Sequence, residues 1–298
     1  MARVLITGAN GFSGPYVTAA LSARGHEVYG LSKADTQTTV AGVARWYFAD
    51  LMDYAALTEV IAEVQPEYIV HLAAISFVPH ARISEIYQTN IIGTRNLLEA
   101  LSVNCETKSA VIVSSAHVYG NRVGGALDES TPPDPHSDYA LSKLACEHLA
   151  RMYIDRVPSI VVRPFNYTGR GQETQFIIPK IVHHIRSKQS RIELGNISVA
   201  RDFSDVRFFA ESVAELLPNP NAIGEIVNVC SGKAYTLTYI LDLVKKISGR
   251  EIEVIPNPAF FRVNDVMRLW GDPTKLRKLV GELDSPSIGE TLRWMLEE

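Results

Sequence analysis

Val4-Leu5-Ile6 runs straight into Thr7-Gly8-Ala9-Asn10-Gly11-Phe12-Ser13-Gly14, after which the apolar residues of 16–24 recur at helical spacing. Few features constrain a fold so tightly. Glycines between a strand and a helix permit a sharp turn and let the backbone approach a pyrophosphate, which then rests on the helix N-terminus. The segment therefore predicts a βα unit that opens a dinucleotide-binding sheet. Gly8, Asn10, Gly11, Phe12 and Gly14 are its candidate cofactor contacts.

The pattern that follows agrees. Short apolar runs at 27–31, 46–50, 68–74, 110–115 and 159–163 alternate with helical patterns at 54–64, 90–101 and 139–153. Continuous apolar strands separated by helices predict a doubly wound, Rossmann-type α/β sheet, parallel and covered on both faces. Ligands on such a sheet bind at the carboxyl ends of the strands, where strand order reverses. After Arg163-Pro164 the alternation loosens. We expect an NAD(P)-binding domain over 1–165, with a returning segment near 202–230 that brings Ile226-Val227-Asn228-Val229 to the main sheet. A smaller substrate-binding domain is expected over 166–298.

Composition narrows the partners. The net charge of −4 comes from 29 basic and 33 acidic residues spread along the chain, unlike the clustered cations of a nucleic-acid-binding surface. No apolar run reaches the roughly 18–20 residues that span a bilayer, and the glycine turn interrupts the first run before a signal peptide could form. Cys105, Cys146 and Cys230 are widely spaced and odd in number, which suits reduced thiols and a cytoplasmic protein. His183-His184 lacks further ligands at suitable spacing, so no metal is expected.

The strand ends carry the candidate chemistry. The second ends Leu31-Ser32-Lys33, where a hydroxyl and an ammonium suit a ribose 2′-phosphate, so NADP(H) is favoured over NAD(H). Asp50-Leu51 can frame an adenine, and Ala73-Ala74 lets a cofactor pass close to the backbone. Ser114-Ser115 ends the fifth strand. Tyr139 and Lys143 lie four apart on a helix and share a face, so the ammonium can lower the phenol's pKa toward proton transfer near neutral pH.

These segments, with His71-Leu72-Ala73-Ala74 and Ser115-Ala116-His117-Val118-Tyr119-Gly120, resemble the extended short-chain dehydrogenases/reductases. The resemblance implies Ser115, Tyr139 and Lys143 as the catalytic set. It also implies Leu72, Ser114 and Pro164 beside the cofactor, and Asn90 as the helix asparagine that supports the active site. Arg163 through Gln172, Phe176 through Ile181 and Arg201 through Val206 are similar to segments of the GDP-mannose 4,6-dehydratases and GDP-6-deoxy-D-mannose reductases. That implies Asn166, Lys180 and Arg201 at a diphosphate, Arg262 and Asp265 at the nucleoside, and Ser76 and His117 near the sugar. A homodimer is expected on the same ground.

Two departures matter. The dehydratases carry a glutamate two residues after the catalytic hydroxyl, where this chain has His117, read first as a structural histidine. Elimination of water then lacks its acid. Phe208-Phe209 replaces a usual Asp-Val and leaves the local packing open. The expected activity is NAD(P)H-dependent reduction of GDP-4-dehydro-6-deoxy-D-mannose to GDP-D-rhamnose. A 4-epimerase with tightly held NAD is the alternative. A redox-sensing binding protein is a third class, and it would have no need of Ser115, Tyr139 and Lys143.

Overall fold

The computed structural model describes residues 1–33, 39–76, 82–104, 106–121, 125–260 and 267–297. Its first half runs β1 (Arg3–Thr7), α1 (Gly14–Ala23), β2 (Glu27–Ser32), β3 (Val43–Phe48), α2 (Tyr54–Val64) and β4 (Tyr68–His71). Then come α3 (Ile83–Ile86), a π-turn at Tyr87–Ile92, α4 (Gly93–Asn104), β5 (Ser109–Val113), α5 (Asp138–Met152) and β6 (Ser159–Pro164). The second half adds β7 (Asn166–Thr168), α6 (Ile177–Arg186), β8 (Arg191–Leu194), β9 (Ala200–Asp205) and α7 (Val206–Leu216). It continues with β10 (Ile226–Val229), β11 (Ala234–Thr236), α8 (Leu237–Ser248) and β12 (Glu253–Pro256). The last elements are β13 (Arg268–Leu269), α9 (Thr274–Val280) and α10 (Ile288–Leu296).

Seven strands form one parallel sheet in the order β10-β6-β5-β4-β1-β2-β3. Strand order reverses between β1 and β4, so the glycine turn opens at that reversal. Ile226 through Val229 do return to the sheet, pairing with β6. Each face of the sheet buries its own core. Val17 and Leu21 of α1 meet Phe209 and Val213 of α7 on one face, while Leu57, Ile61, Leu97, Leu101 and Cys146 pack on the other. That two-sided cover explains why the central strands read as unbroken apolar runs.

A third core gathers Ile178, Ile181 and Ile185 of α6 with Phe203, Ile240 and Leu292. It lies under two small sheets, β12-β8 and β11-β9-β13 with β7 attached to β9. The apolar runs expected at 46–50, 68–74 and 110–115 overrun their strands by two or three residues. Those overruns are the segments that leave the sheet toward the site, and Ala49, Leu72 and Ser114 each still donate one backbone N–H to a neighbouring strand, to Ser32 O, Thr7 O and Val162 O. The helix expected at 90–101 instead opens as the π-turn and extends to Asn104. Phe208 and Phe209 are buried in α7, and the packing left open by the missing aspartate is filled by aromatic carbon.

Candidate functional site

The glycine turn is closed by backbone bonds. Gly8 N–H donates to Leu31 O at 2.8 Å, Gly11 N–H to Gly8 O at 2.9 Å and Gly14 N–H to Gly11 O at 3.1 Å. Gly8 has φ +69°, and a Cβ on it would stand 2.8 Å from the Ala73 backbone. A Cβ at Gly14 would stand 2.0 Å from the Ala9 carbonyl oxygen. No side chain fits at either place. The N-terminus of ten-residue α1 faces this turn, offering the partial positive charge that a pyrophosphate requires. The residues present fit a dinucleotide.

At the neighbouring strand ends Lys33 Nζ lies 2.9 Å from Asp50 Oδ2. Burial alone would raise the Asp50 pKa, but the Met52 N–H and the Lys33 ammonium hold it below the usual carboxylate range. Lys33 and Asp50 were expected to grip different parts of the cofactor, and the structure couples them. Leu51 is buried against Gly93, where a Cβ would come within 2.8 Å of its side chain.

Ser115, Tyr139 and Lys143 come together from β5 and α5. Ser137 caps α5 through the Ala140 N–H at 3.2 Å, which starts the helix one residue before Tyr139. The Ser115 hydroxyl acts on the Tyr139 phenol, favouring its ionised form. The Lys143 ammonium donates to Val113 O at 2.8 Å and stands 6.0 Å from the Tyr139 ring centre. The expected depression of the tyrosine pKa is not found. Burial pushes the phenol up, repulsion by Tyr167 adds to this, and only Ser115 opposes it. Lys143 does not reverse that balance, and burial lowers its own pKa. Tyr139 is therefore held in its protonated form.

His117 follows on a short 3-10 turn, Ala116–Tyr119, whose cap is Ser115. Its Nδ1 lies 3.0 Å from Ser115 Oγ, its backbone N–H donates to the same oxygen at 3.2 Å, and its ring meets that of Tyr139 edge-on at 5.9 Å. The side chain is exposed. It is no structural histidine of the core.

Beneath these groups lies a buried polar network of which the sequence forecast only Asn90 as a supporting residue. Ser114, expected to line the cofactor, donates its hydroxyl to Glu147 Oε1 at 2.5 Å. Arg163 bonds both Glu147 oxygens, at 2.9 and 2.7 Å, and places its guanidinium 4.8 Å from the Tyr119 ring centre. Tyr119 in turn donates to Asn228 at 2.7 Å. Asn90 grips Ile75 N–H at 2.8 Å and the Ser142 hydroxyl at 2.9 Å, which ties the 72–76 segment to α5. His71 lies 2.7 Å from Thr7 Oγ1 and 2.9 Å from Thr94 Oγ1. Because the Thr94 hydroxyl donates to Asn90 O, His71 Nε2 must be the donor to Thr94 and Nδ1 the acceptor. The sequence signals were charged or polar residues within apolar runs, namely His71 in 68–74, Arg163 in 159–163, and Glu147 four residues beyond Lys143.

The expected substrate residues are less concentrated. Asn166 and Arg201 lie on paired strands β7 and β9, each bonded to backbone of β9. Lys180 is engaged elsewhere, donating to Glu193 O of β8 at 2.8 Å with its ammonium 4.4 Å from the Phe260 ring centre. It borders a pocket with His184, Arg191 and Ile255. Ser76 is exposed beyond β4 and Pro164 is buried at the end of β6. Arg262 and Asp265 lie outside the described residues, as does Cys105.

A strand-order reversal bearing a dinucleotide turn, with serine, tyrosine and lysine at the same sheet edge, defines a nicotinamide-dependent oxidoreductase of the extended short-chain dehydrogenase/reductase class. A family model described as GDP-mannose 4,6-dehydratase matches residues 5–295, and the chain belongs to that family. It is 33% identical to GDP-6-deoxy-D-talose 4-dehydrogenase of Aggregatibacter actinomycetemcomitans over 94% of this chain and 91% of the relative. Identity to GDP-6-deoxy-D-mannose reductase of Pseudomonas aeruginosa is 32%, over 99% and 96%. Among solved structures, a candidate epimerase from Burkholderia cenocepacia superposes with TM-score 0.93 at 42% identity, covering 99% of this chain and 97% of that one. RMD from Pseudomonas aeruginosa, complexed with NADPH, gives 0.87 at 29%, covering 100% and 98%. Among the described residues, no helix is long and apolar enough to cross a membrane.

Proposed function

We propose that this enzyme reduces the C4 ketone of a GDP-linked 4-dehydro-6-deoxyhexose, GDP-4-dehydro-6-deoxy-D-mannose foremost, at the expense of NADPH. The observation that carries the reading is Tyr139, kept protonated by burial, with the His117 imidazole 3.0 Å from Ser115 where dehydratases hold a carboxylate. Reduction needs a phenol that can give up a proton, whereas elimination needs an acid at C6. When bound, the nicotinamide supplies hydride to C4. Ser115 would orient the ketone oxygen, and Tyr139 would protonate it as negative charge develops there. Lys143, fixed to Val113 O, would hold the nicotinamide ribose. Gly8, Asn10, Gly11, Phe12 and Gly14 would hold the pyrophosphate, and Lys33 a 2′-phosphate.

On this reading residues 1–165, with the return over 202–230, serve the cofactor and 166–298 the nucleotide sugar. A homodimer through α4 and α5 is supported by Val103 and Met152, 67% and 73% exposed.

The test is loss of nicotinamide absorbance when NADPH or NADH is mixed with the GDP sugar or its dTDP and UDP counterparts. We expect stoichiometric oxidation of NADPH with the GDP sugar. Oxidation of neither cofactor would refute the proposal. The candidate epimerase among the similar structures favours 4-epimerisation as a second reading. An epimerase would turn over with no cofactor added.

A further inference from the structure

We propose that Glu147 and Arg163 are positioning residues for the ketone reduction, setting Ser115 against Tyr139 by holding the chain on either side of Ser115. This deepens the reductase reading and rests on it for the roles of Ser115 and Tyr139. Glu147 follows Tyr139 by eight residues on α5, so the helix carries both as one rigid piece, about 12 Å apart along its axis. Glu147 and Arg163 are 6% and 2% exposed, and Arg163 bonds both carboxylate oxygens from β6. Without that partner a buried carboxylate would carry a large desolvation cost.

The pair reaches both flanks of Ser115. On one side the Ser114 hydroxyl donates to Glu147 Oε1 at 2.5 Å, and the Ser114 N–H donates to Val162 O at 2.8 Å. A carboxylate offers only acceptors, so the Ser114 hydroxyl proton is committed to it. One turn earlier on α5, Lys143 grips Val113 O. On the other side the Arg163 guanidinium lies 4.8 Å from the ring centre of Tyr119, the last residue of the 3-10 turn, which donates to Asn228 at 2.7 Å. Ser115 caps the opposite end of that turn through the His117 N–H. Its Oγ thus emerges between two anchored residues, while Tyr139 arrives from α5 edge-on to the His117 ring. A slip of β5 against α5 would displace Ser115 from Tyr139 while leaving both side chains intact. Misplacement by about 1 Å can cost roughly a hundred-fold in rate.

The test separates stability from rate, with each variant assayed at a temperature where it is folded. Glu147→Met combined with Arg163→Met strands no charge, so it should regain most of the stability lost in Glu147→Ala, while kcat stays about ten-fold or more below wild type. Ser114→Ala removes one hydroxyl and leaves the ion pair. Its kcat should fall about five-fold or more, with KM for the ketosugar and Kd for NADPH within about two-fold. Recovery of kcat together with stability in the double variant would make the pair core packing and overturn the proposal. So would a raised KM or Kd at unchanged kcat in Ser114→Ala, which would make Ser114 a ligand contact. If the double variant does not fold, Ser114→Ala decides alone. A further readout needs no substrate. The NMR signal of the His117 ring, whose Nδ1 lies 3.0 Å from Ser115 Oγ, is assigned by its loss in His117→Gln. Ser114→Ala should shift it in the direction seen in Ser115→Ala, and an unmoved signal would overturn the positioning. Failure of the wild type to reduce any ketosugar would instead sink the reductase reading, and the ring signal would still judge the placement of Ser115.

Discussion

Burial lowers the His71 imidazole to about 3 from its ordinary 6.5, and the nearby Lys143 charge adds to the effect. Thr7 and Thr94 satisfy both ring nitrogens of the neutral form. The folded protein thus binds fewer protons here than the unfolded chain between those two pH values. The stability contributed by neutral His71 is complete above pH 6.5 and drains away as pH falls toward 3. By pH 5 the loss should be about 2 kcal/mol. Urea unfolding at each pH checks this, with His71→Gln expected to flatten the slope below neutrality. An identical slope in that variant would remove His71 from the account. Tyr139 teaches the complementary lesson. Sequence spacing correctly put a phenol and an ammonium on one helical face, yet the sign of the pKa shift depends on burial and on distances that spacing does not contain.

Helix α5 carries Tyr139, Lys143 and Glu147 at successive four-residue intervals, so one face serves both the site and the buried Arg163 pair. Removing one member of such a pair strands a charge. Glu147→Ala should cost about 3–5 kcal/mol, whereas Glu147→Met combined with Arg163→Met should recover much of the loss. Denaturant unfolding of the singles and the double forms the cycle, and strictly additive losses would show that the pair is not coupled. Elements of this kind also mark how far the sequence could be read. The glycine turn, the alternating strands and the Tyr139 helix declare themselves through periodicity and special residues. The π-turn at Tyr87–Ile92 does not, because no residue type demands it. What the π-turn achieves is visible only in space, where Asn90 reaches Ile75 and Ser142 together. Substrate residues were legible only through resemblance, since solvent-facing Arg and Lys leave no periodic trace.

At the scale of the whole molecule, aromatic rings couple the cofactor turn to the second half of the chain. Phe12 stacks on Tyr167 at 5.8 Å, and Tyr167 on Phe209 at 4.5 Å. Tyr16 meets Trp294 of α10 at 6.1 Å and donates to Arg170 O at 2.8 Å, while Arg170 and Arg207 lie over the Trp294 ring. Phe209, an unexplained departure in the sequence, is thus the inner wall of a stack that ends on the glycine turn. Removing it should do two things at once. Phe209→Ala should lose about 3–5 kcal/mol of stability through the cavity it leaves, and the freed Tyr167 and Phe12 should let the turn relax. We expect NADPH affinity, measured by fluorescence titration at a temperature where the variant stays folded, to fall roughly ten-fold, about 1.4 kcal/mol. Tyr167→Phe keeps the stack and gives up only the contact of its hydroxyl with Ser13, so its affinity should stay near that of the wild type. If Phe209→Ala is destabilised yet binds NADPH normally, the stack is core packing alone. The two halves of the chain would then meet at the site without the second bracing the first.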